Sequence, residues 1–241
     1  FLNKLKINNL NFNFDINKDQ YALTKIKTEL NNIELSSQLI QVNKKKDLFL
    51  VKGNITTIEK NFDVEQLSFL FSSFLTNLDM KIIRFSSVNN FSFNINKKLK
   101  LNDLNIESQV FLNQLYIKKN LSILKSYLPA FDEMIKLKNH KVKIKYAKQK
   151  LNIDGSGEIS IDDNFDSIKY QVLKDNDKFF FDTKINLKNK KLLVDFLDLK
   201  KEKDLDSSIS IKGNFEKNNK IKFDLIFFKE KNNKISFKNL N

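Results

Sequence analysis

The chain predicts an all-β protein built as one long antiparallel meander. Three observations carry that reading. Apolar residues recur with a period of two in stretch after stretch, short polar turns separate the stretches, and only one region departs from that period. Strands that follow one another with tight turns and no helices between them pair antiparallel, because a parallel pair needs a long crossover.

The elements follow in order. Leu10, Phe12, Phe14 and Ile16 alternate with Asn11, Asn13 and Asp15. Val51-Lys52-Gly53-Asn54-Ile55 is a strand with glycine on its apolar face. The run LSFLFSSFL, Leu67 to Leu75, is nearly apolar throughout and fits either a doubly buried strand or a helix. Phe91, Phe93 and Ile95 alternate with Ser92 and Asn94, and Val142, Ile144 and Tyr146 with Lys143 and Lys145. Ile168, Tyr170 and Val172 follow. Phe179, Phe181, Thr183, Ile185 and Leu187 then alternate with Asp182, Lys184, Asn186 and Lys188. From Leu192 to Leu199 both faces are apolar and the register is ambiguous. Ile209, Ile211 and Phe215 line up with Gly213, and Ile221, Phe223, Leu225 and Phe227 come last. The segments 17–20, 43–47, 162–164, 174–178, 216–219 and 229–233 are rich in Asn, Asp and Lys. Asn and Asp tolerate left-handed geometry, so these read as hairpin turns.

The exception is NLSILKSYLPAFDEMIKL, residues 120–137. Leu121, Leu124 and Leu128 sit at helical spacing behind a potential N-cap, Asn120. Pro129 disfavours helical geometry at Leu128, and Phe131, Met134 and Ile135 allow a second short turn. The expectation is two short helices bent at Leu128–Pro129. The organisation is then a β segment over 1–119, a helical insert over 120–138 and a second β segment over 139–241. Phe1 opens just before one alternating run and KISFKNLN closes just after another, so the chain reads as one continuous fragment of a longer protein.

Composition excludes more than it includes. With no Cys there is no disulfide framework and no thiolate chemistry. The formal charge of +14 comes almost wholly from lysine, Arg84 being the one arginine. Lys, Asn, Ile and Phe are inflated together, as AT-rich coding would produce. Base readout and bidentate phosphate contact favour arginine, so no nucleic-acid partner is expected. The single histidine, His140, stands between lysines at the start of a strand and reads as a turn-edge surface residue. No G-x-S-x-G elbow occurs, and four scattered glycines form no phosphate loop. Asp162, Asp163 and Asp166 lack the alternating register and glycine of a calcium loop and read as a solvated turn. No catalytic residue, metal or cofactor is assigned.

What stands out is the apolar side of the strands, which has to be hidden against something. A second sheet would make a sealed sandwich, a curled sheet an open trough, and lipid outside a barrel a membrane protein. The barrel fares worst, because its aromatic girdles are missing: Trp is absent and Tyr scarce.

Leu121-Ser122-Ile123-Leu124-Lys125-Ser126-Tyr127-Leu128-Pro129, followed by a strand and then by Leu151-Asn152-Ile153-Asp154-Gly155-Ser156-Gly157-Glu158-Ile159, resembles the YLP-containing helical insert and glycine-bearing strand of the large AsmA-like proteins of the YhdP and TamB type. The glycine strands at 51–55 and 211–215 fit that family's recurrent pattern. The resemblance implies a fragment of a periplasmic, inner-membrane-anchored protein of a Gram-negative cell. Such a protein carries phospholipid between inner and outer membranes along an apolar groove, without catalysis and without a cofactor. Its partners would be phospholipid acyl chains, with the membrane reached through regions outside this fragment.

The fold expected is therefore a long antiparallel meander curled into an elongated open groove, with a short helical insert near 120–137. The residues expected to line the groove are Phe179, Phe181, Ile185, Leu187, Ile209, Ile211, Ile221, Phe223, Leu225 and Phe227. The other reading is a structural or adhesive β-repeat protein with a self-packed core and no ligand.

Overall fold

The computed structural model describes residues 6–64, 66–67, 79–118, 125–131, 133–162, 164–176, 178–216, 221–231 and 233–240. Thirteen strands form one antiparallel sheet in chain order. They are β1 (Ile7–Asn17), β2 (Gln20–Leu30), β3 (Ile33–Lys45), β4 (Leu48–Asn61), β5 (Asp79–Asn96), β6 (Leu101–Lys118), β7 (Met134–Ala147), β8 (Lys150–Ser160), β9 (Asp166–Asp175), β10 (Lys178–Asn186), β13 (Ser207–Glu216), β14 (Ile221–Glu230) and β15 (Asn233–Leu240). Between β10 and β13, a small hairpin of β11 (Leu192–Val194) and β12 (Leu199–Lys201) encloses a 3-10 turn, Asp195–Leu197. This settles the register that both-sided apolarity left ambiguous. The large sheet is not closed: β1 and β15 are its two edges.

Turn chemistry explains the meander. Asn31 and Asn32 both take positive φ (49° and 63°), the backbone of a two-residue hairpin turn that matches strand twist. Lys148 and Gln149 do the same (50° and 63°), although neither residue announces a turn. Both β segments of the sequence belong to the same sheet, since β6 pairs with β7 along its length.

The helical insert is shorter than its sequence suggested. Lys125 and Ser126 form a 3-10 turn, and Phe131 is buried, but Met134 and Ile135 open β7. The second helical turn is thus a strand: Ile135 pairs with Ile117 and Leu137 with Leu115, and two strand ladders outweigh one isolated turn. Leu121 and Leu124 lie outside the described residues. So does most of LSFLFSSFL, although Leu67 itself is helical and buried.

The strand ends differ. At one end β1–β2, β3–β4, β5–β6, β7–β8 and β9–β10 are joined by connections of a few residues. At the other end lie the long connections, β4–β5, β6–β7 and β10–β13. Here sits the main apolar cluster, Ile33, Phe62, Leu67, Met80 and Ile83, with Phe62 stacked on Phe85 at 4.3 Å.

Candidate functional site

The candidate site is the apolar face itself. Directly paired residues of an antiparallel ladder project to the same side, so the register tracks a face across the sheet. One row runs Phe14, Leu23, Ile40, Gly53, Phe91, Ile106, Tyr146, Leu151, Lys174, Phe179, Phe215, Ile221, one residue from each of twelve successive strands. A second runs Ile55, Asn89, Ser108, Ile144, Ile153, Val172, Phe181, Gly213, Phe223, Leu240. Most of these side chains are half-buried rather than buried.

Area bears on whether a second layer covers this face. The chain exposes 16194 Å². A compact monomer of 28.4 kDa exposes about 11,000 Å². The excess approaches half the compact value, as an open, elongated sheet would give, and extensive backbone contact joins strands adjacent in the sheet.

The ten lining residues expected from the sequence do not all meet. Phe179, Phe181 and Ile185 share the face with Ile209 and Ile211, and Phe179 stacks on Phe215 at 4.6 Å. Phe223 and Ile221 join them opposite Gly213 and Phe215. Leu225 and Phe227 do not. The register shifts between Lys212 and Gly213, leaving Asp224 as the extra residue of a bulge. Leu225 then pairs with Lys212 and Phe227 with Ser210, on the opposite face, while Ile226 and Phe228 take their places opposite Ile211 and Ile209. A one-residue slip exchanges the faces of everything beyond it. The doublets Leu225-Ile226 and Phe227-Phe228 were the available sign, since they satisfy either parity. Leu187 lies just past β10 and is buried, its N–H bonded to the Ser207 carbonyl at 2.9 Å, so it belongs to the packed end rather than the open face.

Three glycines let rings lie flat on the sheet. A Cβ at Gly155 would come within 2.1 Å of Tyr170 Cζ, one at Gly157 within 2.3 Å of His140 Cδ2, and one at Gly213 within 2.8 Å of Phe181 Cζ. Phe181 also meets Phe223 edge-on at 6.2 Å. These aromatics cover glycine backbone that would otherwise leave gaps in the apolar floor.

His140 is the clearest departure from the sequence reading. It is buried, not at a surface turn, because β7 begins six residues earlier, at Met134, and His140 shares the face of Val142, Ile144 and Tyr146, its imidazole over Gly157. Its Nε2 lies 2.9 Å from the Glu158 carbonyl, which can only accept, so Nε2 carries the proton. Its Nδ1 then accepts from the Tyr170 hydroxyl at 3.2 Å. Burial pushes the imidazole pKa down from 6.5, the Glu158 carbonyl and carboxylate opposing it only in part, and this keeps the ring neutral. Burial likewise raises the Tyr170 pKa.

Asp162 and Asp166 are not a solvated turn either, while Asp163 lies outside the described residues. Lys190, buried, donates to Asp162 Oδ1 at 2.5 Å and to the Asn164 carbonyl, with Asp166 Oδ2 at 3.6 Å. Burial raises the Asp162 pKa, but the Lys190 ammonium, the Asn164 N–H and the Ser160 hydroxyl together hold it below the usual range. Lys201, fully buried, donates to the carbonyls of Lys188, Lys190 and Glu202. Leu193 N–H reaches the Tyr127 carbonyl at 2.9 Å, tying the β10–β13 connection to the β6–β7 connection. Lys190, 28 residues from Asp162, gave no local signal for this.

Among the described residues, no group of three or more His, Asp or Glu side chains is placed to hold a metal, and no helix is long and apolar enough to cross a membrane. No family model matches the chain, and no curated protein or solved structure is significantly similar to it.

Proposed function

We propose that this chain is a non-catalytic, hydrophobic-groove segment of a bridge-like lipid transfer protein, carrying phospholipid between inner and outer membranes. The observation that supports it is the row of directly paired residues crossing twelve strands, apolar at every position but Gly53 and Lys174. An acyl chain leaving water for such a surface is stabilised by roughly 0.8 kcal/mol per CH₂. Phenylalanine, isoleucine and leucine make no directional demand, so a chain held on them is free to slide. The AsmA-like resemblance supplies the direction: a periplasmic position, as part of an inner-membrane-anchored protein.

The test is organic extraction and mass spectrometry of the segment, produced in a Gram-negative periplasm and purified without detergent. Near-stoichiometric phospholipid, lost in Phe181→Asp while the fold persists, is the expected result. A folded, soluble protein that carries no lipid would return the case to a structural or adhesive β-repeat protein.

A further inference from the structure

Composition bias alone would spread lysine evenly, and it does not. The six connections at the tight-turn end, residues 17–20, 45–48, 96–101, 147–150, 175–178 and 216–221, hold eleven lysines against five carboxylates. The connections at the other end, residues 30–33, 61–79, 118–134, 160–166, 186–207 and 230–233, hold ten lysines against fourteen. The charge of the connections is therefore polarised across the width of the apolar face.

Three of the five acids at the tight-turn end are paired with lysine. Asp47 pairs with Lys97 at 2.7 Å, Asp175 with Lys150 at 2.8 Å, and Asp19 approaches Lys44 at 4.0 Å. Lys46, Lys98 and Lys148 are exposed and form no ion pair among the described residues. At the other end two lysines, Lys190 and Lys201, are buried in the packing and offer nothing to solvent.

We infer that the tight-turn lip is a headgroup rail, selecting anionic over zwitterionic phospholipid for the groove. This rests on the lipid reading above and adds the class of lipid and the side on which its phosphate travels. An acyl chain on the apolar floor keeps its headgroup in water at a lip, within a Debye length of that lip's charges, about 10 Å at 0.1 M salt. The lysine lip attracts an anionic head, and the acidic lip repels it. Lysine suits this better than arginine: a hydrated point charge attracts without the bidentate grip that would stop a lipid moving.

The experiment incubates the purified chain with vesicles of equal parts phosphatidylethanolamine and phosphatidylglycerol, separates the protein from them, and measures the ratio of lipids extracted from it. Phosphatidylglycerol enriched at least about three-fold at low salt is expected, with the enrichment shrinking as salt shortens the Debye length. The variant Lys46→Gln/Lys98→Gln/Lys148→Gln should lose the enrichment while still carrying lipid. Lys231→Gln, at the opposite end, should keep it. Lipid bound in the same ratio as the vesicles would overturn the rail and leave the conduit standing. No lipid at all would overturn both. Protein that stays on anionic vesicles but carries no lipid away would make the lip a membrane-docking surface, and the rail would fall.

Discussion

The two ends of the strands solve the same problem differently. At the tight-turn end the chain reverses over a few residues, and the lysines there stay in water. At the other end the long connections fold back to make the main apolar cluster, with Ile33, Phe62, Leu67, Met80 and Ile83 packed together and Lys190, Lys201 and Asp166 buried beside Leu187. The contrast places the main apolar cluster and the buried charges at one end of the sheet and the solvated lysines at the other.

That comparison can be broken by mutation, and the largest effects should fall on the packed end. Lys190→Met strips the cation from half-buried Asp162 and from Asp166, and leaves the Asp166 carboxylate buried. Orphaning a buried pair costs about 3–5 kcal/mol, read as a fall in the urea midpoint. Gly213→Ala comes next. A Cβ there would lie 2.2 Å from the Lys222 carbonyl oxygen, backbone that cannot swing away, so about 1–3 kcal/mol is expected from the same titration.

His140 gives a smaller, pH-dependent effect at the boundary of the two regions. Its folded pKa is depressed, so the unfolded chain takes up the proton first. Stability is intact above the unfolded value of 6.5 and falls as the pH drops below it, by at most about 1.4 kcal/mol per pH unit. Urea midpoints across that window should show the loss, and His140→Gln should flatten it. Asp162, also depressed, adds a loss of the same sign at pH values below 3.8. The smallest effect belongs to the lip: Lys98→Gln should move thermal stability by no more than about 0.5 kcal/mol. A large change there would mean the lip is structural and the contrast false.

How much of this was legible follows from the range of each signal. Period-two alternation is local, and it located β1, β7, β9, β10, β13 and β14 and the meander they form. A bulge is one residue with no compositional mark, and Asp224 moved Leu225 and Phe227 to the wrong face in the sequence reading. His140 was missed for another reason: β7 begins at Met134, so the residue that looked like a turn edge lies mid-strand on the face of Val142 and Ile144. Met134 and Ile135 suited helix or strand by spacing, and only the ladder to β6 decided. The Lys190–Asp162 contact joins residues 28 apart in sequence across two connections, where no local pattern reaches.

The central claim, that one face of this sheet carries lipid, is tested most directly within a single strand. Phe223 and Phe227 share a parity on β14 but stand on opposite faces because of the bulge between them. A photocrosslinking amino acid placed at each position in turn, irradiated in periplasm-expressed protein, reads which face touches lipid. Lipid adducts at position 223 and not at 227 are predicted. Equal labelling at both, or labelling at 227 alone, would contradict the account.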